Sequence, residues 1–502
     1  KNRDKALHKS IYSLLFTYIS SSFNKLLSMD LLSLSKKVLL VFVLTHLFTV
    51  SAQEKYQSLL WKIEGNGLSE ASYLYGTMHV SSKIAFNLGD EFFDALSSAD
   101  AVALETNPEI WLDFYRGEDL MAASALIDNR RNQFSSNAFY SQFITSPTYD
   151  LERFQAFLGP QDRILNQLLY RFNYGEENYE ETTYLDMFLF QSARKESKPV
   201  FSLEDFTESF FLARRSSLPD TDEKEENNFR TQRMSQEQLQ TAYLERNLDL
   251  LDSMITENFS NNYRKYLLDI RNKNMVDALD SLMPKMSVFS GVGAAHLAGE
   301  KGMIEMLREK GYNVTPVQFD KSSSASKTFN KIKKSSVDMP TQKIQSADGR
   351  IELESVGKFY SENENGNADL YQSYFLPDFA NGAYYSYKRM VKVPYGENYR
   401  AKGGLDYIDS ILYLAIPGDI TKQKSTSVGD FEAIEVTSEL SRNRYLKQLI
   451  VDTPEEIIVF KASGNKSFIK SKNVKTFFKS IKIKAHSKPT KLEPLGVQID
   501  LP

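Results

Sequence analysis

Hydrophobic and polar positions follow two regimes along this chain. Between residues 53 and 320, short apolar runs alternate with longer stretches of helical periodicity. Tyr73-Leu74-Tyr75 reads as a short strand that runs into Gly76-Thr77-Met78-His79. Phe92, Phe93 and Leu96 fall on one face of a helix expected over 90–100, and Ala101-Val102-Ala103-Leu104 is a strand that ends at Glu105. Residues 107–195 read as mostly helical, closing with a helix over 184–195 that leads to a strand over 199–203 and then Glu204. Two or more long helices are expected over 236–283. The first pattern then returns: a strand over 287–290, the loop Gly291-Val292-Gly293-Ala294-Ala295-His296, and an amphipathic helix carrying Met303, Met306 and Leu307. Gly311 closes that helix before a strand over 312–317. This alternation predicts an α/β fold with a partly parallel sheet and helical insertions.

The second regime begins after a Ser- and Lys-rich stretch, 321–350, expected as a linker. Short aromatic strands are expected at 384–393, 410–416, 431–436 and 456–460, separated by Gly, Pro and Asn turns. A last helix over 473–481 carries Val474, Phe477, Phe478 and Ile481 on one face. This predicts a smaller C-terminal α+β domain over 351–485, followed by a tail over 486–502. The aromatics of 359–395 read more readily as sheet packing than as a carbohydrate platform.

The N-terminal segment has a different pattern. Met29 reads as a start, followed by Lys36-Lys37, then an apolar run over 38–50 and Val50-Ser51-Ala52. A basic region, an apolar region and a small-residue cleavage site together predict a signal peptide within 1–52, hence export to a periplasmic or extracellular location. The apolar run falls short of the about 20 residues that span a bilayer.

Composition then narrows the chemistry. The chain has 502 residues, no Cys and five His. Without Cys there is no disulfide, no thiol nucleophile and no thiolate metal site. A net charge of −4 gives no reason to expect a nucleic-acid partner. Removal of the signal peptide takes away His8 and His46 and leaves His79, His296 and His486. Two of these, His79 and His296, share the frame Gly-x-x-His, and each follows an expected strand.

Ligands in α/β sheets bind outside the carboxyl ends of the strands. Glu105 and Glu204 are expected at such ends too. If the strands are parallel neighbours, two imidazoles and two carboxylates meet on one rim. That donor set suits a divalent metal (Mn, Co or Zn), with a carboxylate left as general base. Taken singly, each His also fits a hydrogen-bonded structural role, and each Glu a turn or helix cap. Gly291-x-Gly293 resembles the start of a dinucleotide loop, but His296 stands where its third Gly belongs. HExxH, P-loop and GxSxG motifs are absent.

These motifs carry a resemblance. Leu74-Tyr75-Gly76-Thr77-Met78-His79, Ala101 through Glu105, and Gly293-Ala294-Ala295-His296-Leu297-Ala298-Gly299 with Gly311-Tyr312-Asn313-Val314 resemble the TraB/GumN family, which includes the Tiki metalloproteases. Arg271-Asn272 resembles the Arg-Asn pair before the second motif, and Leu203-Glu204 resembles a family strand end. The resemblance covers roughly residues 57–320. It implies an exported metal-dependent hydrolase acting on peptide or protein. His79, Glu105 and His296 would then be the metal ligands, with Glu105, Glu204, Arg271 and Asn272 in catalytic roles. The alternative is a non-catalytic protein of the cell envelope that binds peptide or polysaccharide. Ten Lys and no acidic residue over 461–491 offer an anionic envelope contact, or simply a solvated face.

Overall fold

The computed structural model describes residues 55–114, 151–160, 181–216, 236–361, 371–391, 414–440 and 443–485. The expected signal peptide, His8, His46, His486 and the tail after 485 lie outside these residues.

The first domain runs β1 (Leu60–Gly65), β2 (Ser72–Thr77), α1 (Asp90–Ser98), β3 (Ala101–Leu104), α2 (Pro108–Phe114), α3 (Leu151–Leu158), α4 (Leu185–Lys195) and β4 (Val200–Ser202). It continues with α5 (Phe206–Ser216), α6 (Gln236–Leu244), α7 (Leu248–Asn258), a π-helical turn (Arg264–Asp269) and α8 (Ile270–Leu282). β5 (Val288–Gly293), α9 (Met303–Glu309), β6 (Tyr312–Val317) and α10 (Ser323–Lys334) complete it.

Its six strands lie in the order β4-β3-β5-β2-β1-β6. β4, β3, β5 and β2 are mutually parallel, while β1 runs antiparallel to both β2 and β6. The fold is therefore the expected α/β class, with a mixed sheet. β3 is buried throughout and β5 nearly so, as strands covered on both faces must be. That is why both read as unbroken small apolar runs. Residues 185–193 of α4 are all buried, packed close against the sheet. A Cβ on Gly291 would stand 2.3 Å from Leu189 Cδ1, so glycine at this point of β5 lets α4 approach.

The central position of β5 decides the geometry of the site. The chain leaves β2, crosses through α1 to β3, and much later inserts β5 between them. Thr77 of β2 then pairs with Gly293 of β5, and Leu104 of β3 pairs with Gly291. Both Gly-x-x-His loops and Glu105 thus leave neighbouring parallel strands at the same edge.

The segment expected as a linker carries structure. Ala325, Phe329 and Ile332 recur at helical spacing, and α10 forms with Ser322 Oγ accepting from Ala325 N. Phe329 packs on Phe86 and Phe188, with ring centroids 5.3 and 4.9 Å apart.

The second domain contains β7 (Gln342–Gln345), β8 (Ile351–Ser355), β9 (Tyr360–Ser361), β10 (Tyr371–Asp378) and β11 (Ala383–Val391). β12 (Asp419–Val428), β13 (Phe431–Leu440), β14 (Arg444–Asp452), β15 (Glu456–Gly464), α11 (Lys466–Lys470), α12 (Lys472–Ser480) and β16 (Lys482–Ile483) follow. Seven strands form an antiparallel sheet in the order β12-β13-β14-β15-β11-β10-β9, beside a three-stranded sheet β16-β8-β7. Tyr385, Tyr387 and Phe460 meet Phe468 and Phe477 of α11 and α12, so these aromatics are core. A strand expected at 410–416 is corrected where the structure describes it. Leu414 and Ala415 form a helical turn, and the sheet takes instead the polar run of β12.

The opposite face of the seven-stranded sheet packs against α3 in a second cluster. Phe154, Phe157 and Leu158 pack with Met390, Ile434, Ile450 and Val459. The carbonyls ending α3 meet donors from the sheet: Gln448 Nε2 to Leu158 O (2.6 Å), and Lys461 Nζ to Phe157 O (2.6 Å) and Gly159 O (2.7 Å). A cation suits the negative end of a helix. Lys461 is fully buried, so the lysine-rich surface does not begin there, as its sequence position implied.

Candidate functional site

Four parallel strand ends and one helix build the site. β2 delivers His79, β3 delivers Glu105, β4 leads to Glu204, and β5 runs into the short 3-10 turn that holds His296. α8 contributes Arg271 and Asn272 just after the π-helical turn, a local distortion often found at functional sites. Five of the six residues named from the sequence, Glu105, Glu204, Arg271, Asn272 and His296, form one linked cluster, and His79 stands beside it against Asp186.

Arg271 is its centre. Nη2 donates to Glu105 Oε2 at 2.7 Å and to Glu204 Oε2 at 2.6 Å, while Nε donates to Glu204 Oε1 at 3.0 Å. Glu105 Oε1 accepts from the backbone N–H of Gly293 at 2.7 Å. A Cβ on Gly293 would stand 3.2 Å from that same oxygen, so the bare backbone suits the close approach.

His296 is buried, with Nε2 3.8 Å from Glu105 Oε1. Its Nδ1 lies 2.6 Å from Asn272 Oδ1, and Asn272 Nδ2 donates to Lys301 O at 2.7 Å. Because the amide nitrogen is committed to a carbonyl, Asn272 Oδ1 must accept. That assigns the His296 proton to Nδ1 and leaves a lone pair on Nε2. Asn272 thus orients the His296 ring.

His79 sits at the mouth, its side chain 42 % exposed and its Nε2 3.4 Å from Asp186 Oδ1. Asp186 begins α4 and was missed from the sequence. Thr77 Oγ1 donates to its Oδ1 at 2.8 Å, while its Oδ2 is buried with no hydrogen-bond partner. The signal available was a lone charge inside the apolar run Tyr184-Leu185-Asp186-Met187-Phe188-Leu189-Phe190.

The electrostatics separate the roles. Burial opposes the charge on Glu105, but Arg271, the histidines and the Gly293 N–H together hold its carboxyl well below the usual range. Burial raises Glu204, against the pull of Arg271. Burial lowers His296 to about 4, against the attraction of Glu105, so its ring is neutral at physiological pH. The protein around His79 also opposes its charge, yet Asp186 and then Glu105 lift it to about 9. Glu204 has a side chain only 1 % exposed and both oxygens on Arg271. It anchors Arg271. Among the described residues, no three His, Asp or Glu side chains form a group that could hold a metal ion as they stand.

Comparisons with known proteins follow this geometry. A crystal structure of a protein from Bacteroides thetaiotaomicron is 12 % identical, covers 30 % of this chain and 51 % of its own, and has a TM-score of 0.20. This chain therefore spans about half the length of that relative. A protein of unknown function from Pseudomonas aeruginosa is 12 % identical, with 26 % and 86 % covered and a TM-score of 0.15. Likenesses this slight carry no argument about fold or activity. No curated protein matches the chain. The model of the TraB/PrgY/gumN family matches residues 59–316, a little over half of the sequence and all but the last residue of the sheet that carries the two Gly-x-x-His loops. The chain belongs to the TraB/PrgY/gumN family.

Proposed function

We propose that this protein is a metal-dependent hydrolase of peptide bonds. The observation that supports this reading is the pairing of Thr77 with Gly293, which opens both Gly-x-x-His loops beside Glu105 at one sheet edge. The donor chemistry fits a divalent ion: one imidazole nitrogen with a free lone pair, a second imidazole at the mouth, an ionised carboxylate, and a buried carboxylate oxygen without a partner. His79, His296 and Glu105 would hold Mn, Co or Zn. When bound, the ion supplies Lewis acidity and lowers the pKa of water.

The remaining steps belong to the chain. Asn272 locks the His296 tautomer. Arg271 fixes Glu105, and Glu204 fixes Arg271. Asp186, whose Oδ1 faces His79, accepts the proton of the attacking water. The basic-then-apolar pattern ahead of residue 53 supports a periplasmic or extracellular place of action.

Metal content after loading with Mn, Co or Zn tests the proposal. The wild-type chain should retain close to one ion, and His79→Ala or His296→Ala should lose it. A chain that retains no ion after loading sinks the proposal. A second reading, a non-catalytic peptide- or polysaccharide-binding protein, is favoured by one observation: Arg271 already occupies both Glu105 and Glu204. It predicts ligand binding that survives chelation, with no turnover.

A further inference from the structure

Several lysines ahead of residue 320 are paired: Lys62 with Glu64, Lys273 with Asp277, Lys301 with Asp269, and Lys310 with Asp277 and Asp280. Along α11 and α12 the pairing stops. Lys466, Lys470, Lys472, Lys475 and Lys479 are exposed, and none has an ion-pair partner among the described residues. Residues 465–480 contain no Asp or Glu.

Helix stability does not account for this arrangement. Lys466 and Lys472 occupy the first positions of α11 and α12, where the helix dipole disfavours cations. Lys466 and Lys470, Lys472 and Lys475, and Lys475 and Lys479 are like-charge neighbours at i,i+4 or i,i+3 spacing, which destabilises a helix. The apolar residues Phe468, Val474, Phe477 and Phe478 all face inward. Packing therefore explains one side of these helices and leaves the charged side unexplained.

The surface also extends to the first domain. Asn465 Nδ2 donates to Lys333 O at 3.3 Å, which brings the end of α10, with exposed Lys331 and Lys334, to the start of α11. Three acids nearby are engaged by other lysines: Glu181 by Lys333, Glu352 by Lys484, and Glu435 by Lys447. Asp338 accepts from Asn473 N at 3.0 Å.

We propose that the outer face of α11 and α12 is a docking surface for an anionic lipid bilayer. A mobile array of headgroups suits lysines, which present point charges on flexible stems. Nucleic acid fits less well. The face has no arginine for bidentate phosphate contacts and no exposed aromatic side chain on which a base could stack. Because no apolar side chain points outward, the contact is electrostatic and salt-sensitive, without insertion.

The test is sedimentation of the full chain with vesicles of phosphatidylcholine alone and of phosphatidylcholine mixed with phosphatidylglycerol. The chain should prefer the anionic vesicles at low salt and lose that preference at about 0.5 M salt. Lys472→Ser, Lys475→Ser and Lys479→Ser together should cut the preference about a hundredfold, about fivefold per lysine. These side chains are exposed, so the thermal melt of the triple variant should match wild type. Equal binding to neutral and anionic vesicles overturns the proposal. So does a preference that the triple variant keeps, or binding of duplex DNA where anionic vesicles are not bound.

Discussion

Each domain buries an arginine–glutamate cluster, and the two are completed differently. In the second domain Glu456 lies between two arginines. Arg389 donates to both of its oxygens at 2.8 Å, and Arg350 pairs with it as well. Asp348, Glu455 and Thr453 engage the remaining guanidinium nitrogens. In the first domain a single arginine spans Glu105 and Glu204, Asp186 Oδ2 has no partner, and His79 opens to solvent. A closed cluster fixes the course of strands. An open one, with a carboxylate oxygen unpartnered and a neutral imidazole nearby, keeps capacity for a cation and for a proton. The two clusters therefore differ in how far their polar groups are satisfied, not in residue type.

The strongest way to break this contrast is to remove one arginine from each. Arg271→Met leaves two buried carboxylates unpaired and should cost about 3–5 kcal/mol in urea unfolding. Arg389→Met leaves Glu456 with Arg350 and should cost clearly less. Equal losses would mean that both clusters are simply structural.

A third buried carboxylate sharpens the contrast, because it is neither saturated nor open. Asp378 accepts from Asn381 N and Nδ2, near Lys195 of α4 and Asp338 of the segment after α10. Burial pushes its pKa up from 3.8 to about 6, against those hydrogen bonds and Lys195. Between those values the folded state binds more protons than the unfolded chain, so stability falls as pH rises from about 4 to about 6. The contribution is on the order of 2–3 kcal/mol. Asp378→Asn should flatten that slope in unfolding midpoints measured across pH. A slope unchanged in the variant would locate the titration elsewhere.

The smallest expected effect on stability is at the open site itself. Asp186→Asn removes an incompletely paired charge, keeps an oxygen to accept from Thr77, and should change stability by about 1 kcal/mol or less. Turnover should nevertheless fall by about 10²–10⁴ if Asp186 is the proton acceptor. A variant with unchanged turnover would remove Asp186 from the chemistry, whatever its effect on stability.

Legibility in the sequence followed locality. Both Gly-x-x-His motifs, Glu105 and Glu204 were readable because each sits at an element end marked by glycine or by a change of period, whereas Arg271-Asn272 was named only through the family resemblance. Asp186 was not, because a charge in a buried helix signals nothing until its neighbours are known. The polar strand β12 was missed because its side chains are mostly exposed, so it lacks the alternation that marks a half-buried strand. α10 was hidden in a Ser- and Lys-rich stretch because only Ala325, Phe329 and Ile332 mark its buried side.

The sequence by itself determined the α/β class, a C-terminal region of strands closed by a helix, and the residue types able to do chemistry. It could do so because burial periodicity and turn residues are properties of neighbouring positions. Which residues meet was decided by the tertiary structure. The insertion of β5 between β2 and β3 brought residues more than 200 positions apart to one edge. Hydrogen bonding then separated their roles: Asn272 became a tautomer lock, Glu204 an anchor, and Lys461 a buried cap for α3. Strand order and the satisfaction of buried polar groups depend on contacts across the whole chain, and no local pattern encodes them.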